Sequence, residues 1–169
     1  MKFLIFSCLI VAATANCPPL FTQYGKNCYR LIVQALPWTE AKMTCSGFMN
    51  CNGDPATLVS LQSRNDETFL KRLMGTVSKQ NYAVWTSGND IAEEEVFRWG
   101  DGSLFTYLNW APEQPDNGQQ SSGEIENCVT FFLRQKVPMW NDAMCELERP
   151  FVCMVPASLP QQRFDAGTF

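Results

Sequence analysis

Cysteine placement constrains this chain more than any other feature. Cysteines stand at positions 8, 17, 28, 45, 51, 128, 145 and 153. The first lies inside MKFLIFSCLIVAATA, where Lys2 gives a positive end, Phe3 to Ala13 an apolar run, and Ala13-Thr14-Ala15 a small-residue cleavage site. That is the pattern of a secretory leader. The run is too short to cross about 30 Å of hydrocarbon, so cleavage after Ala15 is expected rather than a membrane anchor. Seven cysteines then remain in a secreted, extracellular chain, where they read as a disulfide framework with one thiol left over. Arithmetic alone leaves roughly a hundred pairings open.

The 169 residues point to one domain. Losing the leader removes Lys2 and takes the net charge from −4 to −5. An acidic chain is a poor candidate for binding nucleic acid or anionic lipid through charge, although simple solubility accounts for most of these charges. The chain has no histidine. That removes the usual general base and the commonest transition-metal ligand, so an enzyme is the least favoured class and no catalytic residue is assigned. Calcium chemistry needs only oxygen and is untouched.

Local patterns predict an α+β domain over residues 16–155, followed by a loose tail over 156–169. Residues 17–29 read as a strand pair turning at Gly25-Lys26-Asn27. In PWTEAKMTC, Trp38, Ala41 and Cys45 share one helical face behind Pro37. ATLVSL reads as a short strand. A second helix is signalled by Ser63 as its cap, Asp66 and Glu67 in its first turn, and a stripe of Phe69, Leu70, Leu73 and Val77. AVWTSG reads as a strand, and so does VFRWGDGS, with Phe97 and Trp99 on one face and a turn at residues 100–102. CVTFFL and RPFVCMV read as closing strands. Residues 111–127 form a long polar loop, a kind of segment usually functional or disordered in compact domains.

Two short segments concentrate oxygen. EQPDN at 113–117 holds Gln114 and Asp116, and WND at 140–142 holds Asn141 and Asp142. Both read as loop-like, and both lie near a cysteine. Taken one at a time, each is best read as an ordinary surface turn. Together with Glu126 they form an oxygen-only ligand set suited to a hard cation.

The ordered landmarks resemble the C-type lectin-like domain. They are Cys17…Cys28-Tyr29, the helix ending at Cys45, ATLVSL, Trp85, TYLNW, QPD at 114–116, ENC at 126–128, WNDAMC at 140–145 and FVC at 151–153. They span residues 17–154, and the texture of SGNDIAEEEVFRWGDGS resembles soluble invertebrate lectins of the echinoderm type. Trp85-Thr86-Ser87-Gly88 departs from the family's core-strand signature.

The resemblance implies the C-type lectin fold: two helices, short antiparallel sheets and a long calcium-binding loop. It implies the pairs Cys17–Cys28, Cys45–Cys153 and Cys128–Cys145, with Cys51 left over. A leftover thiol in a secreted, breaker-rich loop favours a disulfide-linked dimer, against a buried free thiol or a swap with Cys45 for Cys153. It also implies Ca2+ held by Gln114, Asp116, Glu126, Asn141 and Asp142, across a cis bond at Pro115. Sugar hydroxyls would meet Gln114, Asp116, Glu126 and Asn141. Gln-Pro-Asp resembles the galactose-type motif, so galactose or N-acetylgalactosamine glycans are the expected partners. The aromatic that usually follows such a motif is absent, for none occurs between Asp116 and Phe131. Asp90, Glu94, Asn117 and Asn127 match the family's auxiliary calcium positions, and Glu93, Glu94 and Glu95 read equally as a plain solvated acidic run. The competing reading is an extracellular matrix or mineral-associated protein of the same fold.

Overall fold

The computed structural model describes residues 17–75, 83–119 and 123–158. The leader, Val77 of the predicted helical stripe, and the tail beyond residue 158 lie outside them. The elements run β1 (Thr22–Tyr24), β2 (Asn27–Leu36), α1 (Trp38–Ser46), β3 (Thr57–Leu58), α2 (Arg64–Gly75), β4 (Val84–Asn89), β5 (Cys128–Arg134), β6 (Val137–Ala143) and β7 (Arg149–Pro156). One sheet has the order β1-β2-β7-β4-β5-β6, with β3 also on β7.

Sequence-distant ends meet in this sheet. β2 pairs antiparallel with β7 from Asn27↔Pro156 to Ile32↔Phe151. Disulfides join Cys17 to Cys28, Cys45 to Cys153 and Cys128 to Cys145. The first closes the N-terminal hairpin, the second ties α1 to β7, and the third ties the start of β5 to the segment after β6. Cys51 is free and exposed.

α1 buries the face its spacing predicts, Trp38, Ala41 and Cys45. The Trp38 indole donates to the Thr86 carbonyl (2.8 Å), and the Trp85 indole donates to the Leu36 carbonyl (2.9 Å). Neither buried ring strands a donor. α2 begins at a reciprocal cap. The Asp66 amide donates to the Ser63 hydroxyl (3.3 Å), while the Asp66 carboxylate accepts from that hydroxyl (2.9 Å) and from the Gln62 amide (3.0 Å). Its buried residues are Glu67, Leu70 and Met74, with Phe69 and Leu73 packed alongside.

Two expectations are corrected. Residues 96–103 do not form a strand; only isolated bridges, Asn89↔Arg98 and Arg98↔Leu104, survive there. The Asp101 carboxylate accepts from the Ser103 amide (2.9 Å) and Gly102 takes φ +85°, so the chain turns before a ladder can form. Asn141 and Asp142, read as loop residues, lie on β6 opposite Thr130 and Val129. Glu67 lies in the first turn of α2 as expected, and it is buried.

Glu67 links α2 to the segment leading into the long loop. Its carboxylate accepts from the Tyr107 hydroxyl (2.9 Å) and from the Asn109 amide (2.9 Å), which also donates to the Pro138 carbonyl (2.8 Å). Burial, reinforced by this carboxylate, pushes the Tyr107 hydroxyl up to about 12, so it remains a donor. Glu67→Ala strips both donors of their acceptor and is expected to cost about 2–3 kcal/mol in urea unfolding. A change within about 0.5 kcal/mol, the range of ordinary surface substitutions, would refute this role.

Candidate functional site

The long loop is docked on β6 before it departs. The Trp140 amide donates to the Asn109 carbonyl and the Ala111 amide to the Trp140 carbonyl, both at 2.9 Å. Beyond Ala111 the Gln114–Pro115 bond is cis, as the resemblance implied. The chain then folds back over β6, where the buried Asp142 carboxylate accepts from the amides of Asn117 (2.8 Å) and Asp116 (3.3 Å). The Asn117 side-chain oxygen accepts from the Glu126 amide (2.8 Å), which draws the far end of the loop into the same place.

Gly118 makes this fold-back possible. It has φ +71°, and a Cβ there would sit 2.0 Å from the Glu124 carbonyl oxygen. Only glycine adopts that conformation with so close a backbone neighbour.

Three carboxylates converge as a result. Oxygens of Asp116, Glu126 and Asp142 lie within 4.8 Å of one another. Glu126 and Asp142 are buried and Asp116 is half-buried. Burial pushes the Asp142 carboxyl up; the two loop amides oppose this shift, and the Asp116 charge adds to it. The Gln114 Oε1 is buried and has no hydrogen-bond donor. The Asn141 side-chain amide donates to the Asp142 backbone carbonyl. Three crowded carboxylates are a cluster able to hold a hard cation, and they are three of the five ligands expected from the sequence.

A second oxygen cluster adjoins the first. Asp90 Oδ1 and Asn127 Oδ1 are both buried without a donor. Asp90 Oδ2 accepts from the Glu95 amide (3.0 Å), and the Asn117 amide donates to Glu94 (2.7 Å). Burial, with the Glu94 charge adding to it, pushes the Asp90 carboxyl up to about 6.

Asp90, Glu94, Asp116 and Asp142 line an open cleft of about 670 Å³. Local reading of the sequence missed its apolar lining. Phe97, Leu104, Phe105, Leu108 and Trp110 reach it from upstream, although no aromatic follows Asp116. Their signal lay in VFRW, read as a strand, and in TYLNW with the residues just before it; TYLNW is read only as a family landmark. Arg149 was also missed. Its guanidinium lies 5.5 Å from the Trp85 ring centroid; burial pushes its pKa down and the Glu126 charge opposes that shift.

This architecture is that of a lectin domain with an acidic loop site. The Lectin C-type domain model matches residues 34–155, and the chain belongs to that family. It is 32% identical over 141 residues to galactose-specific lectin nattectin of Thalassophryne nattereri, covering 83% of this chain and 81% of that one. It is 30% identical over 147 residues to echinoidin of Heliocidaris crassispina, covering 83% and 97%. The fold superposes on the crystal structure of C-type lectin CEL-I from Cucumaria echinata with TM-score 0.73, at 25% identity, over 82% of this chain and 96% of that one.

Proposed function

We propose that the chain is a secreted, calcium-dependent carbohydrate-binding protein of the galactose type, with its leader removed after Ala15 and its lectin domain over 16–155. The observation that carries this reading is the convergence of Asp116, Glu126 and Asp142 within 4.8 Å, beside the orphaned Gln114 oxygen. Gln114, Asp116, Glu126, Asn141 and Asp142 would hold the ion. A bound calcium supplies open coordination positions that neighbouring sugar hydroxyls can fill. Gln114 and Asn141 can donate N–H to those hydroxyls, and Asp116 and Glu126 can accept from them. The Gln-Pro-Asp order and the galactose-specific description of nattectin support the sugar class. The orphaned oxygens of Asp90 and Asn127 support a second ion, with Glu94 and Asn117 completing its set. Cys51 is the thiol through which two chains would be crosslinked, which non-reducing electrophoresis can test.

A second reading, a matrix or mineral-associated protein of this fold, draws support from the exposed row Glu93, Glu94 and Glu95 beside the site. Galactose-agarose separates the two. Retention in calcium and elution by EDTA are expected, and passage through the column would favour the matrix reading. Independently, saturating calcium is expected to raise the melting temperature. A ligand bound only by the folded state stabilises it by about 2.7 kcal/mol at a hundredfold excess over Kd. Identical melting curves in calcium and in EDTA would remove the ion site from this account.

A further inference from the structure

The cleft is larger than a single sugar ring requires. Its volume of about 670 Å³ falls within the roughly 300–1,000 Å³ of sites that enclose drug-sized ligands. Its lining holds Asp116 and Asp142 together with the apolar Phe97, Trp110, Leu104 and Leu108. The two leucines are 53% and 59% exposed. They are not loose loop residues, because their neighbours are fixed from beneath. Phe105 stacks on the buried Trp99 with ring centroids 4.0 Å apart, and Tyr107 is bonded to Glu67. Phe105 and Tyr107 are thus held by the core, and Leu104 and Leu108, which flank them, line the cleft.

Charge narrows the occupant. Every ionisable side chain lining the cleft is a carboxylate. An anionic headgroup is therefore repelled. A cationic peptide would need those same charges, but Asp90, Glu94, Asp116 and Asp142 are the residues assigned to ions. What fits is a neutral ligand, polar at one end and apolar at the other.

We propose that Leu104 and Leu108, with Phe97 and Trp110, form an apolar subsite for the aglycone of a neutral glycoside whose sugar ring lies at the Asp116 end. This rests on the sugar-binding reading above and extends it from a free monosaccharide to a glycoside carrying an alkyl or aryl group. Each methylene withdrawn from water is worth roughly fourfold in affinity. A short chain lying partly buried on this wall is therefore worth about tenfold.

The test compares methyl and hexyl β-galactoside by titration calorimetry in calcium, on the full chain and on a Leu104→Ser/Leu108→Ser variant. Both leucines are exposed, so the variant keeps its core, and its methyl galactoside affinity verifies an intact sugar site. The expected result is hexyl galactoside binding about tenfold tighter than methyl to the native chain. In the variant that advantage disappears, while methyl galactoside affinity stays within twofold. Equal affinities in the native chain, or an advantage that survives in the variant, would overturn the subsite and leave the sugar reading standing. Failure of both galactosides to bind in calcium would overturn the sugar reading, and the subsite with it. Displacement of hexyl galactoside by a lysine- and leucine-containing peptide at lower concentration would assign the cleft to a cationic partner instead.

Discussion

Replacing both Cys45 and Cys153 by Ser is expected to destabilise the domain by about 4–5 kcal/mol and to lower its melting temperature by about 15 °C. The bond spans 108 residues, far more than the 17 of Cys128–Cys145 or the 11 of Cys17–Cys28. Chain-entropy stabilisation grows with the enclosed loop, so the Cys128–Cys145 pair is worth only about 3 kcal/mol. Domains of this size have about 5–15 kcal/mol in total, so the long bond is a large share of the whole. Both cysteines are fully buried between α1 and β7, and serine hydroxyls there would add a desolvation cost. The double substitution is the right test, because a single one leaves a buried thiol that could pair with the free Cys51. Calorimetry of the three double variants gives the order directly. Equal losses for the 108- and 17-residue bonds would refute the entropic ranking.

Asp142→Ala is expected to weaken calcium binding by at least a hundredfold and to destabilise the protein in EDTA more than Asp116→Ala does. The Asp116 carboxylate accepts from the Gly118 amide (3.2 Å). As loop ligands the two aspartates look interchangeable in sequence. In the fold they are not, because Asp142 is buried on β6 and holds the Asp116 and Asn117 amides. Losing a buried charged acceptor of two amides costs about 2–3 kcal/mol. Asp142→Asn retains an acceptor oxygen while removing the charge, so it should lose calcium with a smaller stability loss. Calcium titration and urea unfolding in EDTA measure the two effects separately. Calcium affinity within threefold of the native chain in Asp142→Ala would mean that the ion does not lie here.

Much of the scaffold was legible because its signals are local. The face Trp38, Ala41 and Cys45 follows from helical spacing, and the Ser63–Asp66 cap from four adjacent residues. The disulfide pairing came from family resemblance and could not have come from counting. What stayed hidden depends on neighbours distant in sequence. Glu67 sits where a helix dipole favours a surface acid, and its burial requires Tyr107 and Asn109 some forty residues later. Trp140-Asn141-Asp142 is polar enough to read as a turn, yet β5 supplies a full ladder of partners that makes it a strand. Phe97 and Trp99 alternate as strand residues should, but the Asp101–Gly102 turn interrupts them. The cleft's apolar wall was hidden for the same reason: Leu104 and Leu108 meet the acidic loop only through tertiary folding.

The strand order separates the two ends of the molecule's business. β1 and β6 are the outermost strands, with both described chain ends on β1, β2 and β7 and the acidic cleft at β6. Ala157 donates its amide to the Lys26 carbonyl, and Cys51 donates its amide to the Ser158 hydroxyl, so the free thiol also belongs to the terminal side. A tether at either end, or a crosslink at Cys51, would leave the cleft unobstructed. Two chains joined there would each carry a cleft and could grip neighbouring residues of one branched glycan or two separate surfaces. Weak single-site affinity would then be multiplied by effective concentration rather than by new contacts.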